Sequence, residues 1–230
     1  MQFDVIAQKI GHLPHMAPKQ GRVLYEFILQ HDITQCLELG FAHGTSSCYI
    51  AAALDEKGEG HLTTIDLAEG AHPYFPPARS RTPNIYELLE MTGLGRYVEP
   101  VLTGISYNWE LMKIIEAQTR HGVCEPLYDF CYIDGAHTWE TDGFAFFLVA
   151  KLLKPGGWIL FDDLKWSYAQ SPGLKEEEWV KRMPEEERCT PQIEKVFNLL
   201  VRQHPEFEDF QVMDQWWGWG WARKKRKTLL

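Results

Sequence analysis

Five short apolar runs recur along the chain at βαβ spacing, over residues 35–39, 61–66, 98–103, 130–134 and 158–162. The runs at 130–134 and 158–162 are nearly continuous in apolar residues up to their closing acid, and all five are consistent with strands covered on both faces in a parallel sheet. Helical periodicity fills the gaps, over 45–54, 84–92, 107–120 and 138–153, the last closed by Lys154-Pro-Gly-Gly157. Ahead of the first strand, Val23, Leu24, Phe27 and Ile28 give an amphipathic helix over 20–31, after an irregular start that contains Pro14 and Pro18. Near the other end, 192–204 reads as a last helix, with 207–212 and 217–224 as two closing strands joined by a very short turn, hence antiparallel. Strands and helices alternate, so the fold class is α/β: a doubly wound, seven-stranded, mostly parallel sheet with an antiparallel last strand, in an α/β/α sandwich. Only 168–188 breaks the pattern, being rich in Glu, Lys and Pro without periodicity. A lid or substrate-specificity insertion is expected over 168–190.

Length limits what this pattern can be. At 230 residues one α/β domain with a full core is expected over 1–230, with 1–34 as an N-terminal helical region. The formal charge of −9 argues against a nucleic-acid partner, which would need clustered Lys and Arg. The run Arg223-Lys-Lys-Arg-Lys227 reads as a solvated tail. Five cysteines without a CxxC pair read as free thiols in a reducing compartment. No signal segment opens the sequence and no run is long enough to span a bilayer, so no membrane partner and a cytoplasmic location are expected.

Candidate chemistry gathers where the strands end. In a parallel sheet the C-terminal ends share one edge, where ligands bind. The first strand runs into Gly40-Phe-Ala-His-Gly44, whose glycines permit close backbone approach. The helix that follows begins at Thr45-Ser46, so its free N–H groups and two hydroxyls are expected to face a ligand in the loop. Gly-x-Gly-x-x-Gly is absent, which disfavours a dehydrogenase. Asp66, ending the second strand, can accept both hydroxyls of an adenosine ribose.

Together these features resemble the class I S-adenosylmethionine-dependent methyltransferases, whose sheet is Rossmann-like. Glu38-Leu-Gly-Phe-Ala-His-Gly44 is similar to their first motif, Asp66 to the ribose acid, and Leu153-Lys-Pro-Gly-Gly157 to the turn before their fifth strand. The resemblance covers roughly residues 20–225, leaving 168–188 outside it. It implies a cofactor site made of Glu38, Gly40, Phe41, Gly44, Thr45, Ser46, Asp66 and Asp134, with Gly104, Ile105 and Ser106 near the adenine.

Asp134 ends the fourth strand and Asp162-Asp163 the fifth, an arrangement similar to the metal-dependent O-methyltransferases of the catechol and macrolide-sugar types. Three clustered carboxylates repel one another unless a cation lies between them, and Mg²⁺ or Mn²⁺ takes oxygen ligands. The metal ligands expected are Asp134, Asp162 and Asp163. His137 stands where the catechol-type enzymes carry a lysine, and it is expected to act with Asp134 in catalysis as the general base. Trp166 and Trp139 are the candidates for a wall against a planar acceptor, whereas Trp219 and Trp221 read as core. The expectation is an O-methyltransferase using S-adenosyl-L-methionine and a divalent cation on a small catechol-like or sugar diol. Two alternatives stay open, a metal-independent methyltransferase of the same fold and a non-catalytic cofactor-binding protein. The Trp-rich end leaves open a homo-oligomer interface as well.

Overall fold

The computed structural model describes residues 2–69 and 76–226. Two helices open it, α1 (Gln2–Ile10) and α2 (Pro18–Gln30), followed by β1 (Gln35–Leu39), α3 (Thr45–Lys57), β2 (His61–Leu67), α4 (Ile85–Thr92), β3 (Val98–Thr103) and α5 (Tyr107–Gln118). A small antiparallel ribbon, β4 (Thr119–Arg120) with β5 (Val123–Cys124), precedes β6 (Tyr128–Ile133), α6 (Trp139–Leu152) and β7 (Leu153–Phe161). Three short helices, α7 (Glu178–Lys181), α8 (Glu185–Cys189) and α9 (Gln192–Lys195), lead to β8 (Phe207–Met213) and β9 (Trp219–Lys224).

Seven strands form one sheet in the order β3-β2-β1-β6-β7-β9-β8, in which β9 runs opposite in direction to the other six. Alternate residues of each strand feed two cores, which explains the unbroken apolar runs. Cys36, Phe130, Tyr132, Trp158 and Leu160 face α1 to α4, while Leu37, Cys131, Ile133, Ile159 and Phe161 face α5, α6 and α9. From β1 the chain winds outward through β2 and β3, then returns to place β6 on the other side of β1. The direction of winding therefore reverses between β1 and β6, which opens a crevice at their C-terminal ends.

Several expectations are corrected. The start is a helix, not irregular chain: Phe3, Ile6 and Ile10 share one buried face, with Phe3 packed on Tyr25 and Tyr49. A nine-residue helix is marginal alone, so this tertiary contact decides its existence. The last helix makes one α turn and widens into a π turn over Val196–Val201. The strand expected from Trp217 begins at Trp219, because Trp216 and Trp217 adopt left-handed φ of 53° and 66° in the connection from β8. Arg223 and Lys224 belong to β9 instead of a tail, and Lys224 donates to the carbonyls of Ala150 and Leu153; Lys227 lies outside the described residues. Within 168–190 the chain has α7, α8 and a small cluster of Trp166, Leu174 and Val180, closed at its base where Ala169 N–H donates to Arg188 O. The five cysteines are free: Cys36, Cys48 and Cys131 are buried, Cys124 half-buried and Cys189 exposed. Among the described residues no helix is long and apolar enough to cross a membrane.

Candidate active site

Strand register aligns the site. Leu39 pairs with both Ile65 and Ile133, and Ile133 pairs with Phe161, so Gly40, Asp66, Asp134 and Asp162 leave the sheet side by side. Backbone bonds extend the ladder one step further, from Gly40 N–H to Ile65 O, Asp134 N–H to Leu39 O and Asp162 N–H to Ile133 O. Four candidates far apart in sequence thus share one edge.

The glycine loop meets this edge closely. Gly40 has φ +87°, and a Cβ there would lie 2.0 Å from Asp134 O, so only glycine fits. Gly44, at φ +99°, caps the N-terminus of α3. Glu38 lies fully buried beneath the loop, where its carboxylate accepts from the hydroxyls of Ser46, Ser47 and Thr64. Burial pushes it up to about 7, against the pull of those three bonds. The hydroxyls expected to face a ligand turn inward instead: Ser46 to Glu38, and Thr45 to Pro14 O at 3.2 Å. Phe41 is also buried in the core. These residues set the shape of the loop, and its ligand-facing surface is backbone.

Asp66 is held by its surroundings. Ala42 N–H donates to Oδ2 at 2.9 Å, Leu67 N–H to Oδ1 at 2.7 Å, and Arg81 Nη1 approaches Oδ2 to 2.8 Å. Arg81 is 4% exposed at its side chain and also donates to Ala42 O, tying the chain after β2 to the glycine loop. Nothing in the local sequence signals this partnership. Beyond β3, Gly104 and Ile105 are exposed, and Ser106 precedes α5 without a side-chain capping bond. Ile105 and Ser106 line a groove of about 440 Å³ with Asn108, Trp109, Met112 and Phe144, on the flank of the sheet between α5 and α6.

Across the crevice, Asp134, His137 and Asp163 face one point. His137 Nε2 lies 3.8 Å from Asp134 Oδ1 and 3.6 Å from Asp163 Oδ2, and one ligand atom from each of the three falls within 4.8 Å of the others. His137 and Asp163 take left-handed φ of 56° and 57°, which turns both side chains back toward the strand ends. Such torsions cost about 1–2 kcal/mol each and are held only by surrounding structure. Asp142, fully buried at the start of α6, supports the His137 turn: it accepts from the Tyr107 hydroxyl, and burial lifts its carboxyl above the usual range against the pull of that bond and of the His137 and Thr138 backbone amides.

Asp162 has a different environment from its two neighbours. Its Oδ1 accepts from Trp219 Nε1 at 2.7 Å and Asp163 N–H at 2.7 Å, while Oδ2 accepts from the Tyr132 hydroxyl, with Gln20 Nε2 at 3.5 Å. Sequence reasoning missed these partners because Trp219 and Gln20 are 57 and 142 positions away. Burial, and then mutual repulsion, hold Asp134 well above the usual carboxylate range. Burial likewise lifts Asp162 and Asp163 to about 7, with repulsion from Asp163 adding to the Asp162 shift, and it lowers His137. Low-dielectric surroundings thus disfavour charge on every member, which is what a cation between them would relieve. Trp166 is brought to the cluster, its ring centroid 5.2 Å from that of His137. Trp139 is not among these contacts; it opens α6 with its side chain exposed and its backbone N–H donating to Gln192 Oε1. Trp219 and Trp221 are buried, as expected of large apolar rings.

Solved structures share this fold. An O-methyltransferase from Bacillus cereus, in complex with S-adenosylhomocysteine, is 19% identical with a TM-score of 0.63, over 97% of this chain and 89% of that one. The O-methyltransferase TomG from Streptomyces achromogenes, involved in tomaymycin synthesis and bound to S-adenosylmethionine, is 19% identical with a TM-score of 0.60, over 97% and 89%. The methyltransferase PaMTH1 from Podospora anserina, bound to S-adenosylhomocysteine, is 16% identical with a TM-score of 0.62, over 97% and 86%. No curated protein sequence matches the chain. Residues 37–164, more than half its length and running from β1 to just beyond Asp163, match the sequence family described as "Methyltransferase domain". The chain belongs to this methyltransferase-domain family and is a methyltransferase built on the class I, S-adenosylmethionine-dependent fold.

Proposed function

We propose that the protein is an S-adenosylmethionine-dependent O-methyltransferase, aided by a divalent cation, acting on a hydroxyl of a small catechol-like or sugar diol. The register that sets Gly40, Asp66, Asp134 and Asp162 along one edge carries the reading. S-adenosylmethionine would supply an electrophilic methyl group on its sulfonium. For this donor the Gly40–Gly44 backbone offers close approach, the α3 N-terminus offers free N–H groups, and Asp66 offers the acceptor for a ribose. Among the described residues, Asp66 Oδ1 accepts from Leu67 N–H, and a carboxylate oxygen has a second lone pair for a ribose hydroxyl. S-adenosylmethionine in the Streptomyces achromogenes structure and its demethylated product, S-adenosylhomocysteine, in the Bacillus cereus one support this choice.

Asp134, His137 and Asp163 fit a cation, because their donor atoms converge and their burial disfavours uncompensated charge. The ion would position an acceptor hydroxyl and lower its pKa. Asp134 and His137 border the reacting centre, and Trp166 gives a flat apolar wall beside them. Holding the acceptor oxygen in line with the methyl carbon supplies much of the rate, since effective molarity replaces a chance encounter. Small vicinal diols suit this geometry, one oxygen reacting and its neighbour anchoring the molecule. The acid balance of the chain, at −9, disfavours a nucleic-acid acceptor.

The test is methyl incorporation from labelled S-adenosylmethionine into a panel of catechols and sugar diols, with and without chelator. Turnover that chelator abolishes and a divalent cation restores is the expected result. Chelator-insensitive turnover would move the enzyme to the metal-independent branch. Failure of S-adenosylhomocysteine to bind would remove the donor assignment.

A further inference from the structure

The geometry points to His137 as a ligand of the divalent cation, completing a set of two carboxylates and one imidazole with Asp134 and Asp163. Asp162 stays outside that set as the strut that holds Asp163 in place. The set then selects Mn²⁺ or a later first-row ion over Mg²⁺. This inference rests on the metal-aided reading above.

Three observations carry it. First, the atoms that converge are those of Asp134, His137 and Asp163, with Nε2 at 3.8 and 3.6 Å from the two carboxylates. Adjacent ligands of a six-coordinate ion with bonds of about 2.1–2.2 Å lie roughly 3 Å apart and opposite ones about 4.3 Å. Closing the gaps of 3.8 and 3.6 Å by about 0.6–0.8 Å each reaches the adjacent-ligand spacing. Second, the oxygens of Asp162 are committed. Oδ1 already accepts from Trp219 Nε1 and Asp163 N–H, which uses both lone pairs, and Oδ2 accepts from the buried Tyr132 hydroxyl with Gln20 Nε2 at 3.5 Å on its other side. Coordination through Asp162 would weaken bonds to buried donors, each costly to leave unmet. Third, Tyr132 lies between the two carboxylates, at 3.2 Å from Asp134 Oδ2, which leaves Oδ1 as the Asp134 atom facing His137.

Chemical consequences follow from the donor atoms. An imidazole nitrogen has one lone pair, so Nε2 cannot take a proton while it holds the ion, and the general-base role expected from the sequence lapses in the loaded enzyme. Mg²⁺ favours oxygen donors and water, whereas imidazole suits the first-row transition ions. Residues that act behind the ligands are then Asp162, through Asp163 N–H, and Asp142, through the turn at His137.

The experiment is electron spin-echo spectroscopy of Mn²⁺ bound to protein saturated with S-adenosylhomocysteine, paired with calorimetric titration of Mn²⁺ and Mg²⁺. Wild type should show a directly bound ¹⁴N nucleus and bind Mn²⁺ at least about ten-fold more tightly than Mg²⁺. His137→Ala and His137→Gln should lose the nitrogen coupling, and His137→Ala should weaken Mn²⁺ by roughly ten-fold or more. Asp162→Asn should keep the coupling; if that variant does not fold, the wild-type and His137→Gln spectra decide the matter. Mn²⁺ bound without nitrogen coupling, or bound equally well by His137→Ala, overturns the inference while leaving metal-aided catalysis intact. Tighter Mg²⁺ than Mn²⁺ binding overturns the selectivity. No divalent binding to the S-adenosylhomocysteine complex overturns both this ligand set and the metal-aided reading.

Discussion

Gly40 sits at φ +87°, with the backbone oxygen of Asp134 where a side chain would begin. Two neighbouring strands end there, and their backbones touch because one residue lacks a Cβ. Gly58, which ends α3 at φ +78°, has the same torsional need but open space around it. Gly58→Ala should therefore cost about 1 kcal/mol in denaturant unfolding, the torsional price alone. Gly40→Ala should cost ~3 kcal/mol or more, because backbone must also move. Equal losses would remove the close-approach argument. Two positions earlier, Glu38 couples the loop to pH. Its carboxyl rises from 4.5 to about 7 on folding, through burial first. Between those values the folded chain keeps a proton that the unfolded chain has released, so this group lowers stability as pH rises from 4.5 toward 7. Glu38→Gln should flatten that part of the profile, read as a smaller fall in Tm between about pH 5 and pH 8 than in wild type. An unchanged fall would assign the slope to other acids.

Among the elements, α4 links local sequence to the loop most directly. Asn84 and Glu87 form a reciprocal capping box, and Ile85 packs where a Gly44 side chain would otherwise extend. Helix start and glycine loop are thus one assembly. Asn84→Ala should lower stability by about 1 kcal/mol, or ~2–4 °C in Tm, measurable by calorimetry. A loss well below that would mean that packing of Ile85, Leu88 and Leu89 fixes the helix without its cap. Element identity was readable from sequence where periodicity or caps were strong, as for α3, α4 and α6. It was not readable for α1, whose nine residues gain their helix only by burying Phe3 against Tyr25 and Tyr49. Nor was the start of β9 readable, since Trp216 and Trp217 look like strand residues but take left-handed torsions in the turn. Lys165 N–H holds that turn through Trp217 O, a contact made across 52 positions.

At the scale of the molecule, sequence alone determined the strands, their doubly wound order and the acids at their ends. A residue that terminates a strand-length run emerges at the sheet edge, so Asp66, Asp134 and Asp162 were legible as edge residues before any contact was known. Glycines 40 and 44 were legible for the same kind of reason, a torsion or an approach that other residues cannot meet. Tertiary structure alone decided which of these groups face a ligand and which face the protein. Glu38, Ser46 and Thr45 belong to the loop motif, yet their polar atoms are spent on one another and on Pro14. Asp162 and Asp163 are adjacent, yet one is bound to Trp219 and Tyr132 while the other turns toward His137. Arg81 joins Asp66 from outside any motif. The physical reason is range. Periodicity, caps and torsions act over a few residues and are written locally, whereas the direction of a buried polar side chain is set by whichever donor the folded chain brings within about 3 Å of it.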